Sequence, residues 1–210
     1  WSVSGLWQFP DALPANFSLR SWMQALPRMS GPLATTLAVA GLSTLIALVL
    51  TILCLEREYE TGRGRGGSAL LLLYLPLIVP QISFMFGLQV LSIWLGVDAS
   101  FSALVLAHLV FVLPYVFLSL SDPWRAHDRR HDLIAAGLGM SRARTLIHIR
   151  LPMLTRAILT AAAVGFSVSV GQYLPTVLSG AGRLTTVTTE AVALAAGGNR
   201  RVIGVYAFMQ

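Results

Sequence analysis

Apolar residues in this chain gather into long, nearly unbroken runs separated by short polar stretches. Four of the runs reach the roughly 20 residues needed to cross a hydrocarbon core of about 30 Å: Leu33 to Leu55, Ala69 to about Leu91, Phe101 to about Leu120, and Ile158 to Leu178. A fifth begins at Val202 and reads as the start of another span. Within lipid every backbone amide must be satisfied inside its own segment or in a closed barrel, and these runs lack the alternation of barrel strands. The pattern predicts an all-α chain, a polytopic transmembrane helix bundle.

The polar stretches set the expected orientation, because short cytoplasmic loops accumulate basic residues. Arg57, Arg63, Arg65, Arg125, Arg129, Arg130, Arg142, Arg144, Arg150 and Arg156 follow the first and third runs, whereas Arg20, Arg28, Arg183, Arg200 and Arg201 fall on the opposite side. The first run is therefore expected to pass from outside to inside, with stretch 122–156 in the cytoplasm. Residues 1–32, with Trp1, Trp7, Phe9, Phe17 and Trp22, read as an outer-face aromatic segment at the water–lipid boundary, and residues 33–210 as the membrane domain. The chain opens at Trp1 with neither a methionine nor a cleavable signal pattern, so it is expected to be part of a longer polypeptide.

Composition narrows the chemistry. Of the 210 residues 55% are hydrophobic and 11% charged, against about 25% charged in a soluble domain. All 15 basic residues are arginine. Without lysine there is no P-loop of the GKS/GKT type, no Schiff base and no lysine general base, so ATP, if it drives this protein, is hydrolysed by another chain or domain. Cys54 is alone, which excludes a disulfide framework and a thiolate metal site. The net charge of +6 is spread between apolar spans rather than clustered with aromatics, which argues against nucleic acid. The Gly62 to Gly67 run reads as a flexible, positive-inside connector.

Several constellations are candidates for function. His127, Asp128, His131 and Asp132 share helical spacing, but Arg125, Arg129 and Arg130 crowd the same turns and disfavour a cation, so no metal is assigned. His108 is an ionisable residue within the third span, either functional or hydrogen-bonded to a neighbouring helix. The run from Gly165 to Gly171 fails the G-x-S-x-G spacing around either serine, and no catalytic residue is assigned. In the fourth span Ala157, Ala161, Gly165 and Ser169 recur every four residues, a stripe that lets another helix backbone approach. Ser167, Ser169, Gln172 and Tyr173 add polar groups, which either line a translocation route or make ordinary interhelical hydrogen bonds.

The arginine-rich stretch reads as helix, glycine, helix: Asp132 to Ser141 broken by glycine, then Arg142 to Ile149, closed by Leu151-Pro152. Such an element, with an apolar face free, suits a cleft on a soluble partner. Its residues resemble the permease subunits of binding-protein-dependent ABC importers of the type I importer fold. Their signature cytoplasmic EAA loop ends in Ile-x-Leu-Pro thirteen residues after a glycine, matched here by Ile149 to Pro152 and by Gly139. That register puts the Glu-Ala-Ala triplet at Leu133, Ile134 and Ala135, with Leu133 in place of the glutamate and Asp132 one residue early. Leu75 to Pro80, Leu113-Pro114-Tyr115 and Ser169 to Tyr173 also look like family patterns, found in iron, thiamine, polyamine and sulfate permeases.

The resemblance implies a multi-pass inner-membrane protein of bacteria without a cofactor of its own. A pair of P-loop ABC ATPase subunits would bind ATP, a periplasmic substrate-binding protein would deliver substrate, and a second permease half, fused or separate, would complete the pathway. Asp132, Leu133, Ile134, Ala135, Gly139, Ser141, Ile149, Leu151 and Pro152 would couple to the ATPase. The competing mechanistic class is an ion-coupled secondary transporter, for whose coupling residue only His108 could serve.

Overall fold

The computed structural model describes residues 2–5, 12, 16–62, 66–197 and 200–210, with the backbone alone for residues 200 and 201. Trp1, Trp7, Phe9, Arg63, Gly64 and Arg65 lie outside the described residues. Those described are helical and contain no strand, only an isolated bridge between Ser4 and Phe17.

Helix α1, Arg20–Thr61, runs 42 residues, about 60 Å at 1.5 Å per residue, and so extends well beyond any bilayer core. It begins well before Leu33, passing through Pro27 and Pro32, and ends at Gly62 in the left-handed conformation (φ 64°) that glycine adopts without strain. The aromatic segment expected up to residue 32 is thus helical from Arg20 on, and Trp22 packs edge-on against Phe208 with ring centres 5.5 Å apart.

The second run is broken into two helices, α2 (Gly67–Ile78) and α3 (Gln81–Trp94), which meet at 108° as a broken span or a re-entrant loop. The break lies at Val79-Pro80: a proline disfavours helical geometry in the residue before it, and Val79 is extended (φ −81°, ψ 138°). Helix α4, Phe101–Arg125, is the central element; Ser100 caps it by accepting the Ala103 N–H at 3.1 Å.

Beyond α4, the arginine-rich stretch forms α5 (Arg129–Gly137), α6 (Arg142–Thr145), a π-helical turn (Leu146–Arg150) and α7 (Leu151–Met153). Leu151-Pro152 does not close this helix as expected. In the widened turn the Leu151 N–H reaches back to the Leu146 carbonyl, Pro152 takes an early position where no N–H is needed, and the chain bends by 75° at Leu154 into α8 (Thr155–Val170). The fourth run also divides. Pro175 cannot continue the ladder begun by α8, so the chain turns at residues 171–173 and restarts as α9 (Leu174–Gly180).

Helices α10 (Val187–Ala196) and α11 (Arg200–Met209) pack on the first turns of α1 around Ala25, Met29, Val187, Val205 and Tyr206. The run from Val202 falls in α11. Helices α1, α4 and α8 form the main core, through Ala47, Leu55, Val112, Val116, Phe117, Leu120, Trp124 and Ala161. Of the described helices α1 and α4 are long and apolar enough to span a membrane alone, and the number is up to four where each of the two bent pairs is one span.

Candidate functional site

At the arginine-rich end, the last turns of α1 carry Glu56, Glu58, Tyr59 and Glu60, past the apolar part of that helix. Arg150, delivered by the π turn, is 3% exposed and stacks over the Tyr59 ring at 3.9 Å. Its guanidinium donates to Asp132 Oδ2 at 2.7 Å and to Glu56 Oε2, and Tyr59 Oη also donates to Asp132 Oδ2. His127 Nε2 lies 3.4 Å from Asp132 Oδ1. Three elements are thereby tied together: α1, the α5 helix and the turn leading into α8.

Burial alone would raise the Asp132 carboxyl, but the hydrogen bonds from Tyr59 and Arg150 and the positive charge beside it hold it below the usual carboxylate range. Burial and the same carboxylate push Tyr59 up to about 12. Arg150 is raised despite its burial, by its bonds to Asp132 and Glu56, and stays charged. Around this cluster lies an open pocket of about 420 Å³, bordered also by Leu133, Met140 and Arg142.

Helix α5 divides accordingly. Asp132 and Ala135 face inward, whereas Leu133, Ile134 and Leu138 are 70%, 63% and 78% exposed. The helix ends in a Schellman motif: the Met140 N–H bonds to the Ala135 carbonyl at 3.0 Å and the Gly139 N–H to the Ala136 carbonyl at 2.9 Å. Gly139 sits at φ 77° with open space around it, so the backbone angle, not crowding, calls for glycine. Ser141 caps α6, Leu151 leans on the main core, Ile149 is half-buried and Pro152 exposed. Of the constellation weighed for a metal, Asp128 caps α5 through the Arg130 N–H at 2.9 Å, His131 Nδ1 faces the Asp128 carbonyl at 3.1 Å, and Asp132 is held by Arg150 and Tyr59.

The second site is a polar seam inside the α1, α4 and α8 core. Gly165 lies so close to α4 that a Cβ would stand 2.7 Å from Val116 Cγ2 and 3.1 Å from Thr44 Cγ2 of α1. That contact brings Ser169 Oγ to 2.7 Å from His108 Nδ1 and 3.3 Å from Ser43 Oγ, while His108 Nε2 meets Thr176 Oγ1 at 3.0 Å. Because the Thr176 hydroxyl donates to the Gln172 carbonyl at 2.9 Å, Nε2 carries the ring proton and Nδ1 accepts from Ser169.

Of the four residues considered for a route, Ser169 points into this seam and Tyr173 is exposed. Ser167 and Gln172 border a cavity of about 530 Å³ at the α2–α3 break, with Pro80, Gln81, Tyr115 and Gly171.

No family model matches the chain. Over 181 residues, 86% of the chain, it is 38% identical to the inner membrane ABC transporter permease protein YnjC of Escherichia coli (strain K12), covering 34% of that protein. Its homologues are ABC transporter permeases. The spermidine/putrescine transport system permease protein PotC of Haemophilus influenzae is 30% identical over 131 residues, 61% of this chain and 49% of that one. The putrescine transport system permease protein PotI of Escherichia coli (strain K12) is 26% identical over 184 residues, 81% of this chain and 64% of that one. The chain thus spans about a third to two thirds of the length of these relatives.

Glu56, Tyr59 and Arg150 escaped the sequence reading. One signal was there: Glu56, Glu58 and Glu60 are three of only nine acidic residues, set at the end of an apolar run with Arg57 the one basic residue among them.

Proposed function

We propose that the chain is the pathway-forming permease component of an ATP-driven, binding-protein-dependent importer in the bacterial inner membrane, with residues 33–210 as its membrane domain and 122–156 as the cytoplasmic loop coupled to an ATPase. The observation that carries this reading is the construction of α5. Its outer face offers Leu133, Ile134 and Leu138 to solvent, and its inner face is bound through Asp132, Arg150, Glu56 and Tyr59 to the end of a membrane helix. An exposed apolar helix costs free energy unless a partner covers it, and a rigid ionic footing lets a push on it move α1 and α8 together.

In this reading a pair of ABC ATPase subunits binds and hydrolyses ATP, a periplasmic substrate-binding protein delivers the substrate, and a second permease half closes the pathway. The permease itself performs no catalysis and holds no cofactor. Ser167 and Gln172, at the α2–α3 break, line the route, and Ser169 and Tyr173 flank it. The secondary-transporter alternative needs His108 as an ion-coupling group, yet both of its ring nitrogens are engaged by Ser169 and Thr176.

Purification of the full-length protein with its chromosomal neighbours in mild detergent tests the reading. A P-loop ATPase should co-elute near stoichiometrically and be lost when Asp132 to Leu151 is deleted. A preparation without ATPase whose uptake follows an ion gradient would overturn it.

A further inference from the structure

The exposed face of α5 has a charge character of its own. Arg130, Leu133, Ile134 and Gly137 stand at i, i+3, i+4 and i+7, with Leu138 beside them, and so share one side of the helix. Arg130 is exposed, and among the described residues its side chain has no hydrogen bond or ion pair; only its backbone N–H is engaged, by Asp128. Its neighbours are committed: Arg125 to Glu58 at 3.1 Å, Arg129 over the Tyr59 ring at 4.7 Å, Arg142 to Glu60 at 3.7 Å and Arg150 to Asp132. A cation in the first turn of a helix also opposes the helix dipole, so local stability does not account for Arg130. The nearest carboxylate on α5, Asp132, is turned inward and held by Arg150 and Tyr59, and Leu133 occupies the position of the glutamate in the resembled triplet.

We propose that this face seats in a groove of the ABC ATPase subunit whose walls are apolar and whose charged group opposite Arg130 is a carboxylate. The polarity of the contact is then the reverse of one made by a glutamate at the triplet. The proposal rests on the permease reading above and specifies the chemistry of its partner. It follows from the composition of the face: two large aliphatic side chains around a single unpaired cation, which a desolvated groove accepts only if it supplies an anion.

The test uses the full-length permease with its co-purifying ATPase, reading the affinity of the two at low and at moderate salt. Ile134→Asp should abolish association. Arg130→Glu should weaken it by about tenfold or more, an effect that shrinks as salt rises, and Arg130→Lys should stay within about twofold. Glutamate in a first turn favours the helix, so unfolding of α5 cannot explain that loss. Restoration of the Arg130→Glu complex by a carboxylate-to-arginine change in the ATPase groove would complete the support.

If Ile134→Asp releases the ATPase and Arg130→Glu does not, the docking reading stands and the proposed polarity falls. If neither variant releases it, the docking reading falls as well. If Arg130→Glu leaves the ATPase bound but lowers binding to phosphatidylglycerol vesicles, the cation serves the lipid surface and the proposal is overturned.

Discussion

Replacing Arg150 by methionine isolates what holds α5 to the membrane helices. The side chain is 3% exposed and bridges Asp132 at 2.7 Å and Glu56, so its removal leaves two carboxylates facing each other with no cation between them. Breaking a buried pair from one side costs about 3–5 kcal/mol, where a solvent-exposed pair is worth about 0–1. With nine residues α5 has no stability of its own, so the loss should fall on its local opening and not on the whole bundle. At about 1.4 kcal/mol per factor of ten, amide exchange across 129–137 should accelerate by roughly two to three and a half orders of magnitude, up to the limit of the unprotected rate. Adding Asp132→Asn and Glu56→Gln, which remove the stranded charges, should return most of the protection. Arg125→Met, which breaks only the exposed contact with Glu58, should leave exchange nearly unchanged. Hydrogen exchange read by mass spectrometry reports all these variants. Arg150→Met with exchange over 129–137 within about threefold of the parent would refute the ionic footing and leave the burial of Ala135 as the anchor.

Gly165→Ala should lower the melting temperature in detergent, since about 1–3 kcal/mol of overpacking against Val116 and Thr44 outweighs the roughly 1 kcal/mol gained from helix propensity, whereas Gly87→Ala in α3, with open space around it, should be neutral or stabilising. His108→Leu should cost about 1–3 kcal/mol by removing two buried hydrogen bonds, one from each of Ser169 and Thr176, which keep their contacts with Ser43 and the Gln172 carbonyl, with much of the loss recovered when Ser169→Ala and Thr176→Val are added, as read by the same melting experiment. Tyr59, pushed up to about 12, favours the folded state below pH 10, and that contribution is lost as pH rises through about 12. In an absorbance titration at 295 nm the parent and Tyr59→Phe should therefore coincide near pH 11 and separate above it; separation already at pH 10 would show the phenol to be unperturbed.

Much of the architecture was legible because the bilayer leaves so few solutions: runs of about 20 apolar residues predict helices, and α1 and α4 contain the first and third runs. The breaks were harder to read. Proline has opposite consequences at Val79-Pro80 and at Pro114, which α4 passes straight through, and what differs is whether packing can absorb a lost hydrogen bond. Pro114 is buried within α4, whereas Pro80 borders a cavity. The small-residue stripe was legible as a packing face, and Gly165 is its tightest point. Its polar members were not separable by sequence: Ser167 and Ser169, two residues apart, lie on different sides of α8 because two residues turn a helix by about 200°. The ionic footing was least legible, since Glu56, Asp132 and Arg150 come from three distant segments and only the fold brings them together.

A single-residue offset connects these observations. One step along a helix turns a side chain by about 100°, so a carboxylate at 132 and one at 133 serve different surfaces. At 133 it would stand among the exposed aliphatic residues of α5; at 132 it meets Arg150 and Tyr59 beneath the helix. Asp132 is therefore not a displaced copy of the triplet's glutamate. It points inward, and Arg150, within Ile149-Arg150-Leu151-Pro152, is its counterpart. The two ends of the loop signature meet in space at that ion pair, with the Gly139 turn between them. Over the stretch from Gly139 to Pro152 the chain returns from α5 and the π turn delivers Arg150 against Asp132 of the helix it left.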